Sequence, residues 1–237
     1  MLRHLHIRSI FYCVLVLLIM VSLNSTAQNK VPFEHYARYE SENKNLLNRP
    51  ADPNRIILMG NSITESWVTI DSAFFKGKSY INRGISGETT SQMLIRFRSD
   101  VIELHPKAVV LLAGINDIAE NNGPISIEHI FGNIQSMIEL AQVNQIEVIL
   151  CSVLPATQFP WRKHLKPAEK IIQLNELLEK YAVQHDVIYL DYYSVLVNDS
   201  KGLKQEFTYD GVHPNLKGYQ VMEPLLEETI QGVLNQK

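Results

Sequence analysis

The sequence predicts an α/β fold, a parallel sheet of five strands with helices on both faces. Three observations point to it. Apolar runs of strand length recur along the chain, segments of helical period separate them, and a polar or glycine-containing loop follows each run. At 237 residues the chain has room for one such domain.

At the N-terminus Arg3 and Arg8 precede an apolar run over residues 10–23, followed by Ser25-Thr26-Ala27. Basic flank, apolar run and small residues are the order of a signal peptide cleaved near Ala27, and the run falls short of the ~20 residues that span a bilayer. An uncleaved anchor is the alternative. Residues 1–27 are therefore read as a signal peptide, and no stable membrane insertion is expected once it is removed. Residues 28–53 carry Phe33, Tyr36, Tyr39 and Leu46 among polar residues and end at Pro50 and Pro53, which reads as a helical extension on a domain of residues 54–237.

Within that domain the expected strands are residues 55–59, 80–82, 108–112, 147–150 and 187–190. The clearest helix lies between the third and fourth, where Ile127, Ile130, Ile134, Met137, Ile138 and Ala141 recur at spacings of three and four. Met93, Phe97, Val101 and Leu104 repeat the pattern after the second strand. Ile171, Leu174, Leu178 and Tyr181 do so after the fourth, and Tyr219, Met222, Leu226 and Ile230 near the end.

Composition narrows function. With 46% hydrophobic and 20% charged residues the chain is globular. Loss of residues 1–27 leaves 20 basic and 25 acidic residues, a net charge of −5, and no arginine-rich or aromatic-interleaved stretch for nucleic acid. Cys151 alone of the two cysteines remains, so no internal disulfide is possible, and its place after Val148-Ile149-Leu150 marks a buried thiol.

Ligands of open parallel sheets gather beyond the carboxyl ends of the strands. The loops there read Gly60-Asn61-Ser62-Ile63-Thr64, Arg83-Gly84-Ile85-Ser86-Gly87 and Ala113-Gly114-Ile115-Asn116-Asp117, and Asp210-Gly211-Val212-His213-Pro214 stands near the C-terminus. A serine after a strand and at the start of a helix meets free N–H groups and the positive end of the helix dipole. Ser62 is thus a candidate nucleophile, although serine is also a preferred N-cap and Thr64 departs from the G-x-S-x-G elbow. Gly84 can offer a backbone N–H and Asn116 a side-chain amide to the same point. With the Ser62 N–H they would form an oxyanion hole.

A serine hydroxyl needs a base of near-neutral pKa. Among six histidines beyond residue 27, His213 has an acid three residues earlier across a glycine, so one turn could hold Asp210 against Nδ1 and leave Nε2 facing Ser62. His164, in the loop after the fourth strand, is the competing base, and Asp191 the competing acid. No third ligand accompanies Asp210 and His213, so no metal site is expected.

Taken together, the four blocks resemble the SGNH hydrolase superfamily of GDSL esterases and lipases over roughly residues 54–235. The resemblance implies a three-layer α/β/α fold of flavodoxin-like type, with no cofactor or metal. It implies Ser62 as nucleophile and oxyanion donor, Gly84 and Asn116 as the other donors, and Asp210 and His213 as acid and base. One departure is Asn61, where the family's GDS has aspartate. Residues 81–87 and Phe159-Pro160-Trp161-Arg162 look most like the exported acylhydrolases of the platelet-activating-factor-acetylhydrolase-like branch. Trp161 and Arg162 could wall the acyl site or receive a sugar face, or the tryptophan could simply plug the domain edge. The expected substrate is a small acyl ester, such as an acetyl group on an extracellular glycan. A lysophospholipase or thioesterase, or a silent glycan-binding module, are the competing functions.

Overall fold

A computed structural model describes residues 33–235. The signal-peptide reading of residues 1–27 lies outside them. A 3₁₀ turn at Phe33–Ala37 and helix α1 (Glu40–Leu47) precede the sheet. Its strands are β1 (Ile56–Gly60), β2 (Tyr80–Gly84), β3 (Ala108–Leu112), β4 (Glu147–Cys151) and β5 (Ile188–Leu190). All pair in parallel, in the order β2-β1-β3-β4-β5. The expected three-layer α/β/α fold is the one observed.

Central strands β1 and β3 are buried along their whole length. Helices cover both sheet faces, which is why these strands read as continuous apolar runs without alternation. Helices α2 (Ser62–Ile70) and α9 (Leu216–Leu234) meet through Trp67 and Tyr219, whose rings lie 5.0 Å apart. The Trp67 indole N–H donates to Glu223 (2.9 Å) and the Tyr219 hydroxyl to the Ile63 carbonyl (2.7 Å). Helices α4 (Thr90–Asp100), α6 (Ile127–Val143) and α7 (Ala168–Gln184) pack in series, each burying its periodic apolar stripe. Short helices α3 (Ser72–Phe75), α5 (Ile115–Ile118) and α8 (Tyr193–Leu196) are too brief for periodicity to reveal.

Strands β1, β2 and β4 each run past their expected ends, to Gly60, Gly84 and Cys151, and the register pairs Gly60 with Gly84 on one side and with Leu112 on the other. Both glycines are thus the last residues of strands. Edge strand β2 is blunted by side chains: the Gly84 carbonyl accepts from the Tyr39 hydroxyl, and Arg83 turns back onto the Asn82 carbonyl (2.7 Å).

Candidate active site

Strand order reverses between β1 and β3, and this switch point opens a crevice beyond their carboxyl ends. Gly60 makes the approach possible. A Cβ there would sit 2.1 Å from Thr64 Oγ1 and 2.9 Å from the Leu112 carbonyl, so a side chain would push α2 away from the sheet. Asn61 caps α2 by accepting the Ile63 N–H on Oδ1 (3.0 Å), a task for which amide and carboxylate oxygens serve alike. Ser62 follows at the first helical position, its own N–H unpaired among the described residues.

His213 comes from the opposite end of the chain and reaches Ser62 because α9 is pinned to α2. The turn before α9 is closed by the Thr208 hydroxyl on the His213 carbonyl (2.7 Å) and by Asn215 capping Gly218 N–H (3.1 Å). His213 Nε2 then lies 3.0 Å from Ser62 Oγ, and Nδ1 lies 2.8 Å from Asp210 Oδ2. The second Asp210 oxygen accepts the backbone N–H groups of Val212 (3.0 Å) and His213 (2.8 Å) across Gly211 at φ +87°. Partial burial works against ionisation of Asp210, but these hydrogen bonds outweigh it and hold the carboxyl below its ordinary range. With carboxylate, imidazole and hydroxyl in one hydrogen-bonded series, the imidazole is oriented to take a proton from the serine.

Neither competitor enters this series. His164 is exposed and makes no hydrogen bond with Ser62. Asp191 orders its own loop, accepting Ser194 N–H (3.1 Å) and the Ser152 hydroxyl (3.3 Å). Cys151 is buried, and burial pushes its thiol far above its ordinary pKa. Among the described residues, no cluster of three His, Cys, Asp or Glu side chains could hold a metal ion.

Of the expected oxyanion donors, one has its N–H already engaged. Asn116, on α5, gives one amide hydrogen to the Glu88 carbonyl (2.9 Å), and the other has no partner among the described residues. Gly84 is not placed to be a donor, since its N–H is held by Asn82 Oδ1 (2.9 Å). Its missing side chain serves packing: a Cβ there would lie 2.1 Å from the Glu65 nitrogen of α2. Gly87, three residues on, has the properties sought. It takes φ +82°, a Cβ there would meet nothing within 4 Å, and its N–H has no acceptor among the described residues. Its loop is fixed by Ile85 N–H on the Gly60 carbonyl (3.1 Å), Ser86 N–H on Glu65 (2.9 Å) and Asn121 on the Gly87 carbonyl (3.1 Å). The signal was present in the sequence as the second glycine of one loop.

Trp161 stands beside the histidine, ring centroids 5.9 Å apart, stacked on buried Phe159 at 5.3 Å. Its indole N–H donates to Asn121 (3.2 Å) and the residue remains 42% exposed, so one face beside His213 is open to solvent. Arg162 reaches the Glu120 carbonyl at 3.4 Å.

A flavodoxin-like α/β/α protein with serine, histidine and aspartate in series at its switch point falls in the class of ester hydrolases. The chain belongs to the GDSL-like Lipase/Acylhydrolase family, whose sequence model matches residues 58–221. A GDSL-like lipase from Bacteroides thetaiotaomicron is 47% identical, with TM-score 0.82 over 85% of this chain and 99% of that one. A candidate acylhydrolase from Bacteroides fragilis is 46% identical, with TM-score 0.81 over 84% and 96%. The lipoprotein YqeF of Bacillus subtilis is 30% identical over 105 residues, which span 43% of this chain and 43% of that protein.

Proposed function

We propose that the protein is an exported serine esterase that removes small acyl groups, acetyl foremost, from extracellular glycans. The observation that carries the chemistry is the series Ser62 Oγ, His213 Nε2, His213 Nδ1, Asp210 Oδ2 at 3.0 and 2.8 Å. Ser62 Oγ attacks the acyl carbon while its proton passes to Nε2. The oxyanion accepts from Ser62 N–H, the second Asn116 amide hydrogen and Gly87 N–H, the last in place of Gly84. Collapse expels the alcohol, which takes the proton from Nε2, and leaves the acyl group on Ser62. Water then repeats the sequence, losing its proton to Nε2, and releases the acid. Asp210 orients the imidazole and stabilises its charged form. Each oxyanion donor is worth roughly 2.7–4 kcal/mol, because it meets charge that develops only in the transition state.

Export rests on the basic, apolar and small-residue order of residues 1–27, with residues 28–53 an extension of the domain at 54–237. The lipoprotein relative is in keeping with it. The sugar reading rests on the exposed Trp161 face next to His213, with Arg162 beside it. The test is hydrolysis of p-nitrophenyl esters from acetate to palmitate, then of acetylated polysaccharides. Acetate should be the best ester, and Ser62→Ala should lower kcat/KM at least ~10³-fold with an unchanged melting temperature. Full activity of Ser62→Ala overturns the mechanism, and rates rising towards palmitate would transfer the substrate reading to lysophospholipids or long-chain thioesters.

A further inference from the structure

We infer that Arg96 is the positioning residue of the oxyanion hole, fixing the strand end that leads to Ser62 against the loop that carries Gly87; this rests on the reading of that loop given above. Arg96 is completely buried on α4. Its Nε donates to Glu88 Oε2 (2.7 Å) and Nη1 to Asp100 Oδ2 (2.9 Å). Nη2 donates to two backbone carbonyls, of Gly60 (3.2 Å) and Arg83 (2.9 Å). One planar group thus ties the last residue of β1, two before Ser62, to β2 and to the residue that follows Gly87. The Glu88 carbonyl in turn holds the Asn116 amide.

Stability alone does not account for such a cluster. Well-packed apolar residues of similar volume commonly match or exceed a buried ion pair. What the guanidinium supplies, and an apolar residue cannot, is a rigid fork of donors at fixed angles. Glu88 and Asp100 are nearly fully buried too, and Asp100 is held from the far side by Asn43 of α1 (2.7 Å), so the fork has little freedom to swing.

Because catalysis by oriented donors falls steeply with misplacement, Arg96→Lys should lower kcat for p-nitrophenyl acetate by about ten- to a hundredfold with KM within about twofold. Inactivation by a p-nitrophenyl phosphonate, whose adduct places an oxygen in the same hole, should slow by the same factor. The pH dependence of kcat/KM should keep its midpoint, since Asp210 and His213 are untouched. Glu88→Gln, which keeps shape and an acceptor, should give a smaller loss of the same pattern, and it decides the matter if Arg96→Lys does not fold. Folded variants with wild-type kcat, or with the loss entirely in KM, overturn the inference. Those results beside an inactive Ser62→Ala sink the role of Arg96 alone, whereas an active Ser62→Ala sinks the reading of the site beneath it.

Discussion

Asp210 and His213 sit three residues apart yet divide the work unequally. In the proposed mechanism the imidazole moves the proton, whereas the carboxylate, 2.8 Å from Nδ1, would keep that nitrogen protonated and leave Nε2 free to accept. In Asp210→Asn the amide oxygen can still take the Val212 and His213 N–H groups, but the amide nitrogen would face Nδ1 and favour the wrong tautomer. The equivalent change in the serine-protease template lowers kcat by ~10⁴. Here the turn itself also fixes the His213 backbone, through Thr208 and Pro214. Asp210→Asn should therefore keep more activity than His213→Ala, and its surviving rate should climb as rising pH deprotonates the imidazole. Profiles of kcat/KM against pH for both variants check this. Loss of activity in His164→Ala or Asp191→Asn, with these two unimpaired, would reassign base or acid.

Among the elements, α4 is the one whose start is built for pH dependence. Its first residue, Thr90, gives its N–H (2.9 Å) and hydroxyl (2.6 Å) to Asp117, which is almost wholly buried. Burial raises the carboxyl to about 6, and the Thr90 hydrogen bonds offset this only in part. Below the ordinary value of 3.8 the group is protonated both folded and unfolded. Between there and about 6 the folded chain holds a proton that the unfolded chain has released, so stability falls as pH rises through that window and levels off above it. The size is on the order of 3 kcal/mol. Asp117→Asn retains an oxygen for Thr90 and removes the charge. The variant should be stabilised relative to wild type at pH 7 more than at pH 4, by up to that amount, as read from urea unfolding at both values. Identical pH dependence in the two proteins would contradict it.

For the molecule as a whole, the parts of the site are gathered from 151 residues of separation by the order of the sheet and by α9 lying against α2. The N-terminal extension belongs to the same construction, since Tyr39 and Asn43 are buried against the end of β2 and α4. If residues 1–27 are a cleaved signal, as proposed above, the mature protein should begin at or near Gln28. Intact mass or N-terminal sequencing of the exported protein checks this, and retention of residues 1–27 would contradict it.

The sequence by itself determined the strand and helix order, because a strand buried on both faces must be apolar throughout and a helix on its face must carry an apolar stripe at its own period. It also determined Ser62, Asn116, Asp210 and His213 as the residues to compare, since each lies in a polar or glycine-containing block that packing does not require. Short helices escaped it, being shorter than the period that reveals a helix. So did the choice between Gly84 and Gly87, since a glycine looks the same whether it lets two backbones approach or frees an N–H. Only the structure, in which the Asn82 side chain holds the Gly84 N–H while the Gly87 N–H has no acceptor among the described residues, sets the two apart. Arg96 was hidden for a related reason: on a helix its charge reads as a solvated face, and only the fold shows that face turned inward against two strands and a loop.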